Sequence, residues 1–210
     1  YYRLTGKNSQ TRELVLPSQG EKPKAKDYEE FAVRLIGRSI FCWFLKHKKS
    51  DKGVPLIPSE VLSLAAVKDN PDYYHSVLEP LFFEAMNKEK SVRKRLNLPK
   101  ADSIPFLNGG LFETHPNDFY NSAPAYSLKI DNKWFVDFFT ILEQYNFTID
   151  ENSSIDVEVS VDPEMLGRVF ENLLAEVVPE TGETARKATG SYYTPRVIVD
   201  YMVEQSLRQY

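Results

Sequence analysis

Between Asp27 and Lys49 the chain carries an apolar stripe at Phe31, Leu35, Ile36 and Ile40, followed by Phe41-Cys-Trp-Phe-Leu45, five residues apolar on every side of a helix. Spacings of three and four residues predict an α-helix, and a helix that is apolar all round needs burial. Its second half is therefore expected inside a core. Lys46, Lys48 and Lys49 follow at the C-terminal end, where cations complement the helix dipole, and Gly53 and Pro55 close the element.

The rest of the chain reads in the same way. Pro58-Ser-Glu predicts a second helix to about Lys68, and Pro71 opens a third in which Tyr74, Leu78, Phe82 and Met86 repeat, with Pro80 expected to kink or split it. Asp131 or Asn132 caps a helix whose apolar face is Trp134, Phe135, Phe138, Phe139, Leu142 and Tyr145. Asp162-Pro-Glu is a strong helix opening, with a cap, a proline at the first position and an acid in the first turn. The stripe Met165, Leu166, Val169, Phe170, Leu173, Leu174 and Val177 then repeats over three turns. Short strands are expected at Glu13 to Leu16 and Ala125 to Ile130, and an exposed connection from Phe147 to Val161. The fold class is mainly α, an irregular multi-helix domain with a few short strands. Residues 1–25 read as a linker or edge segment, 26–178 as a helical connector domain, and 179–210 as a loop and the first helix of a truncated further domain.

At 210 residues and 42% hydrophobic content the chain can bury a sizeable core. No run approaches the roughly 18 to 20 apolar residues of a membrane span, and Tyr1-Tyr-Arg-Leu-Thr lacks the layout of a secretory signal, so a cytoplasmic location is expected. Cys42 is the only cysteine, which excludes an internal disulfide and a cysteine-rich zinc site. His75 and Glu79 stand at helical spacing, but the three histidines are scattered and no metal ligand set is assigned.

Charge divides unevenly. Residues 1–100 carry 19 Lys and Arg against 12 Asp and Glu, whereas residues 101–210 carry 7 against 18. A basic half can face nucleic acid. Its densest run, Lys88-Glu-Lys-Ser-Val-Arg-Lys-Arg95, makes Arg93, Lys94 and Arg95 the candidate phosphate contacts.

Ile104-Pro-Phe-Leu-Asn-Gly-Gly-Leu-Phe-Glu113 sets Asn-Gly-Gly between apolar residues, a combination suited to a tight turn. Toward the C-terminus, Thr189-Gly-Ser-Tyr-Tyr-Thr-Pro195 joins a turn to a helix start. Gly190 tolerates backbone angles other residues avoid, Thr194 is a good N-cap, and Pro195 suits the first helical position. A helix N-terminus of this kind presents unpaired N–H groups to an anion such as a carboxylate or phosphate. The chain holds no P-loop, no Gly-x-Gly-x-x-Gly and no Gly-x-Ser-x-Gly. Asp118 with Asp131-Asn-Lys133 matches the letters of a nuclease motif, but Asp131 falls at an expected helix cap rather than on a strand. No catalytic residue is assigned.

Three segments, in order, resemble large adenine-specific DNA methyltransferases of the type IIG restriction-modification kind: Phe106-Leu-Asn-Gly-Gly-Leu-Phe-Glu113, Asp162-Pro-Glu-Met-Leu-Gly-Arg-Val-Phe-Glu-Asn-Leu-Leu174 and Lys187-Ala-Thr-Gly-Ser-Tyr-Tyr-Thr-Pro-Arg-Val-Ile-Val-Asp-Tyr-Met202. Arg34-Leu-Ile-Gly-Arg-Ser-Ile-Phe-Cys-Trp-Phe-Leu45 also fits the helical region of such proteins. The resemblance implies that Tyr-Tyr-Thr-Pro lies over the methionine end of S-adenosylmethionine, making Gly190, Tyr193, Thr194 and Pro195 the cofactor candidates. It further implies double-stranded DNA and the upstream and downstream domains of the same polypeptide as partners. The parent enzyme would transfer a methyl group to adenine, with endonuclease activity as a further expectation. The glycine-rich cofactor loop and the Asn-Pro-Pro-aromatic motif that holds a flipped adenine are absent from this sequence, so the fragment alone is expected to be inactive. A non-catalytic helical module that docks a partner protein through its acidic half is the alternative.

Overall fold

A computed structural model of the chain describes residues 1–7, 11–18, 20–93, 96–107, 110–120, 128–147, 160–161, 163–175, 194 and 196–209. The chain folds as two compact units, Tyr1–Asp162 and Pro163–Tyr210. The described residues are mainly α-helical with a few two-residue strands, as the periodicity predicts.

The first unit is organised around α2 (Ala25–His47). Its N-terminus is closed by Asp27, whose carboxylate accepts from the Lys24 N–H at 2.7 Å, so an acid in the first turn satisfies an otherwise orphaned donor. Burial extends over nearly the whole helix from Tyr28 to Leu45 and includes Glu29, Arg38 and Ser39 as well as the apolar stripe. The expectation of a buried second half is met, and the first half is enclosed too. Cys42 is fully buried, and burial pushes its thiol well above the usual range.

An aromatic cluster fills the space beside α2. Trp43 stacks on Phe139 with centroids 5.1 Å apart, and Tyr73 meets Phe135 and Phe139 edge-on at 5.3 and 5.9 Å. Phe135 and Phe139 belong to α4 (Asn132–Leu142), capped by Asp131 accepting from the Lys133 N–H at 2.9 Å. Trp134, Phe135, Phe139 and Leu142 are buried as expected, whereas Tyr145 lies beyond the helix end and is exposed. Asn132 stitches α4 to α3 (Leu64–Asp69): its Nδ2 donates to Val67 and Asn70 carbonyls at 3.2 and 2.6 Å, and its Oδ1 accepts from Tyr73 N.

Three expectations change. The helix predicted from Pro58 starts only at Leu64, because Ser63 takes the cap position and accepts from Ala66 N at 3.1 Å; residues 58–63 form turns. Around Pro80 the chain stays helical but widens into two π-helical segments, Tyr74–Leu78 and Leu81–Met86. Proline has no N–H for an α-helical bond, and the helix on either side of it runs with i→i+5 bonding. The expected exposed connection from Phe147 to Val161 is not exposed at its two ends, since β3 (Asn146–Phe147) pairs in parallel with β4 (Ser160–Val161) and both Phe147 and Val161 are buried, while residues 148–159 lie outside the described residues.

At the other end of the unit, α1 (Tyr2–Thr5) and β1 (Leu14–Val15) bury Leu4 and Leu14. β1 pairs antiparallel with β2 (Lys129–Ile130), setting Leu14 opposite Ile130. Arg3 adds ion pairs to Glu13 and Asp137 at 2.8 and 2.7 Å.

The second unit contains α5 (Pro163–Ala175) and α6 (Arg196–Gln209). α5 follows the stripe that begins at Met165, and α6 runs where a final helix toward Arg208 is expected; Asp162, Val177 and Pro195 lie outside the described residues. Among the described residues no helix is long and apolar enough to cross a membrane.

Candidate functional site

The segment that resembles Phe-Leu-Asn-Gly-Gly-Leu-Phe-Glu is held by charge. Arg34 and Arg38, one turn apart on α2, converge on Asp118: Arg34 Nε donates to Oδ1 at 2.9 Å and Arg38 Nη2 to Oδ2 at 3.0 Å. Arg38 also donates to the carbonyls of Leu111 and Glu113, both at 2.7 Å, and its guanidinium lies 4.9 Å from the Phe83 ring centroid. Thus an arginine in a buried helix grips the backbone of a distant loop. Burial pushes the Asp118 carboxyl upward, but the two arginine charges, the Arg38 hydrogen bond and the His115 N–H at 2.9 Å outweigh it and hold the group below the usual carboxylate range. Asp118 is therefore a charged anchor within the first unit.

The same loop reaches a second buried acid. Glu84, on the segment Leu81–Met86, accepts from Tyr120 Oη and pairs with Lys88 Nζ at 2.8 Å. Phe83 and Tyr120 are in ring contact at 4.9 Å, and Leu107 N donates to Met86 O at 2.9 Å. Residues 84–88, Leu107, 111–113 and 118–120 consequently share one set of polar and aromatic contacts. Sequence reasoning did not assign this cluster. Its signal was two arginines four residues apart inside a stretch otherwise patterned for burial.

His75 and Glu79 do meet. His75 Nδ1 lies 3.0 Å from Glu79 Oε2 and Nε2 lies 2.9 Å from Leu128 O, two acceptors that a ring protonated on both nitrogens satisfies together. The Glu79 hydrogen bond, against the cost of burial and with help from the Leu128 carbonyl, raises the imidazole pKa to about 9. Both nitrogens are thus occupied by protons and structural acceptors.

Of the candidate DNA contacts, Arg93 is described, and Lys94 and Arg95 lie outside the described residues. From Lys88 to Arg93 the run forms turns rather than a helix. Arg93 Nε donates to Lys88 O and Nη1 to Ile104 O, both at 2.9 Å, and burial lowers its pKa against a raising contribution from Asp102. Lys90 is exposed on the same turn.

Of the candidate cofactor residues, Gly190, Tyr193 and Pro195 lie outside the described residues, while Thr194 is exposed just before α6. Thr194 lines a shallow groove with Val199, Met202, Val203, Ser206 and Leu207. On α6 itself Val197, Tyr201, Met202 and Leu207 are all more than half exposed.

Comparison with known proteins finds a relative in Methanocaldococcus jannaschii. That protein, named "putative type II restriction enzyme and methyltransferase", is 35% identical over 191 residues, which cover 86% of this chain. The match takes up 15% of that protein, so the chain corresponds to a small part of its relative's length. No family model matches the chain, and no solved structure matches it. The similarity supports a relationship to restriction-modification enzymes that carry a methyltransferase.

Proposed function

We propose that this chain is the helical connector region of a restriction-modification enzyme that methylates adenine in double-stranded DNA with S-adenosylmethionine. The observation that carries the reading is the 35% identity to a relative named for both restriction and methyltransferase activities, extending over 86% of the chain. The ordered segments at 106–113, 162–174 and 187–202 support it independently.

In this reading the first unit is a scaffold, and the basic turn after Lys88 meets the DNA backbone. Residues 179–210 begin the methyltransferase domain. Gly190, Tyr193, Thr194 and Pro195 form one edge of the cofactor pocket, where N–H groups at the start of α6 face the cofactor's carboxylate. S-adenosylmethionine supplies the electrophilic methyl group. The exposed apolar residues of α6 suit a helix that packs into such a domain.

The test is methyl transfer by the complete polypeptide that carries this sequence. With tritiated S-adenosylmethionine and duplex DNA, label is expected on the N6 amine of adenine, and Tyr193→Ala raises KM for the cofactor more than for DNA. Absence of label on adenine, together with no Asn-Pro-Pro-aromatic motif in the polypeptide, sinks the proposal.

A further inference from the structure

The basic turn does not hold its cations in equal states. Lys88 directs its ammonium to Glu84, a carboxylate only 3% exposed. Arg93 reaches across the loop, with Nε on the Lys88 carbonyl and Nη1 on the carbonyls of Ile104 at 2.9 Å and Ala101 at 3.4 Å. Its last nitrogen, Nη2, is buried and has no hydrogen-bond partner among the described residues. All three nitrogens are therefore turned inward. Lys90, by contrast, is exposed, and no described residue pairs with it.

Phosphate recognition needs an N–H or ammonium group that the backbone oxygens can reach. Arg93 offers none in this arrangement, although the sequence made it a candidate contact. What it does instead is join residue 88 to residues 101 and 104, the two ends of one loop. We infer that Arg93 is a positioning residue: its guanidinium clamps the loop from 88 to 104 so that Lys90 is held toward DNA phosphate, and it makes no phosphate contact itself. This inference rests on the proposed DNA-binding reading. It divides the described cations of the basic run into two that build the surface, Lys88 and Arg93, and one that uses it, Lys90.

Arginine-selective modification of the unaltered chain with phenylglyoxal, mapped by mass spectrometry with and without a short DNA duplex, separates the two roles. Arg93 is expected to stay unmodified in both samples. Modification in the free chain that DNA then blocks would overturn the inference. A salt series of duplex binding by fluorescence anisotropy gives the second measurement. Lys90→Ala should reduce the slope of log K against log salt by about 0.9 and leave the thermal midpoint unchanged. Arg93→Lys keeps the charge but loses the fork, so it should match Arg93→Ala: about three- to tenfold weaker binding, a lowered midpoint and an unaltered slope. Binding of Arg93→Lys at the unaltered affinity, with a reduced slope for Arg93→Ala, would equally overturn it. If the unaltered chain shows no salt-dependent duplex binding, or Lys90→Ala leaves the slope unchanged, the DNA reading falls and the positioning role with it. An unreactive Arg93 would then remain a structural clamp only.

Discussion

Arg38 and Asp118 stand 80 positions apart and meet at 3.0 Å, with side chains only 3% and 1% exposed. Arg38 lies on the central helix and Asp118 closes a short 3-10 turn, so one ion pair joins the helix Ala25–His47 to the loop that follows Phe112. Two segments that share a family resemblance, Arg34 to Leu45 and Phe106 to Glu113, are in this way parts of one packed unit. Arg38 contributes to both sides, since its other donors fix the carbonyls of Leu111 and Glu113.

Removing Asp118 should therefore be costly. Asp118→Ala leaves Arg38 buried without its counter-charge and Arg34 without its acceptor, a change that typically costs about 3–5 kcal/mol. Arg34→Ala should cost less, because Arg34 is 19% exposed and water can replace part of its interaction with the carboxylate. Urea unfolding of the two variants checks the order; an Asp118→Ala midpoint close to the unaltered protein would show that the cluster contributes little. The pH dependence follows from the depressed carboxyl. Its contribution is full above the ordinary carboxylate range and is lost as pH falls through the lower folded value.

His75 titrates in the opposite sense. Its folded pKa, about 9, lies above the unfolded value of about 6.5, so its contribution is complete below about pH 6.5 and is lost as pH rises through 9. For a half-buried imidazole this amounts to something on the order of 2 kcal/mol. Thermal midpoints between pH 6 and 10 should fall for the unaltered chain and fall less for His75→Gln. Parallel pH profiles for the two proteins would remove His75 as the cause. NMR titration of the imidazole gives the folded pKa directly.

Long periodic elements were legible from the sequence because local spacing alone decides them. The helices at 25–47, 132–142 and 163–175 follow their apolar stripes, the helix at 196–209 follows the Thr194-Pro195 opening in the sequence, and Asp131, one of the two expected caps, takes that role. Features set by distant partners were not legible. Nothing in Asn146-Phe147 indicates that it pairs with Ser160-Val161, and nothing near Asp118 points to an arginine 80 residues earlier. Pro80 was readable as an interruption, but whether a helix breaks or widens depends on packing around Phe82 and Phe83, both buried. The basic run was read from charge alone, whereas the part played by Arg93 depends on carbonyls 8 and 11 residues downstream. Of the cofactor candidates, only Thr194 lies within the described residues.

The aromatic core makes a graded prediction. Phe139 is fully buried and touches Trp43, Tyr73, Phe135 and Phe138, whereas Phe138 is half-buried and stacks on Trp134 with centroids 4.8 Å apart. Phe139→Ala opens a cavity beneath four rings and should cost about 3–5 kcal/mol. Phe138→Ala loses one stacking partner and a partly wet surface, and about 1–2 kcal/mol is expected. Denaturant midpoints rank the two variants; equal losses would mean that the core relaxes around Phe139 or that Phe138 is enclosed more tightly than its exposure indicates.

The helix Arg196–Gln209 presents apolar side chains in a stripe: Val199, Met202, Val203 and Leu207 follow one another at short helical spacings, with the small Ser206 between them. Met202 is 59% and Leu207 73% exposed, so their surface is open to water and to apolar probes. Glutamate is about as good a helix former as methionine or leucine, and neither position is buried. Met202→Glu and Leu207→Glu should therefore leave the far-UV helix signal intact and change stability by no more than about 0.5 kcal/mol. They should also reduce binding of the dye ANS, more when combined than singly. If the double variant binds as much dye as the unaltered chain, the apolar surface that ANS detects lies elsewhere. If it loses helix signal instead, these side chains are packed rather than exposed.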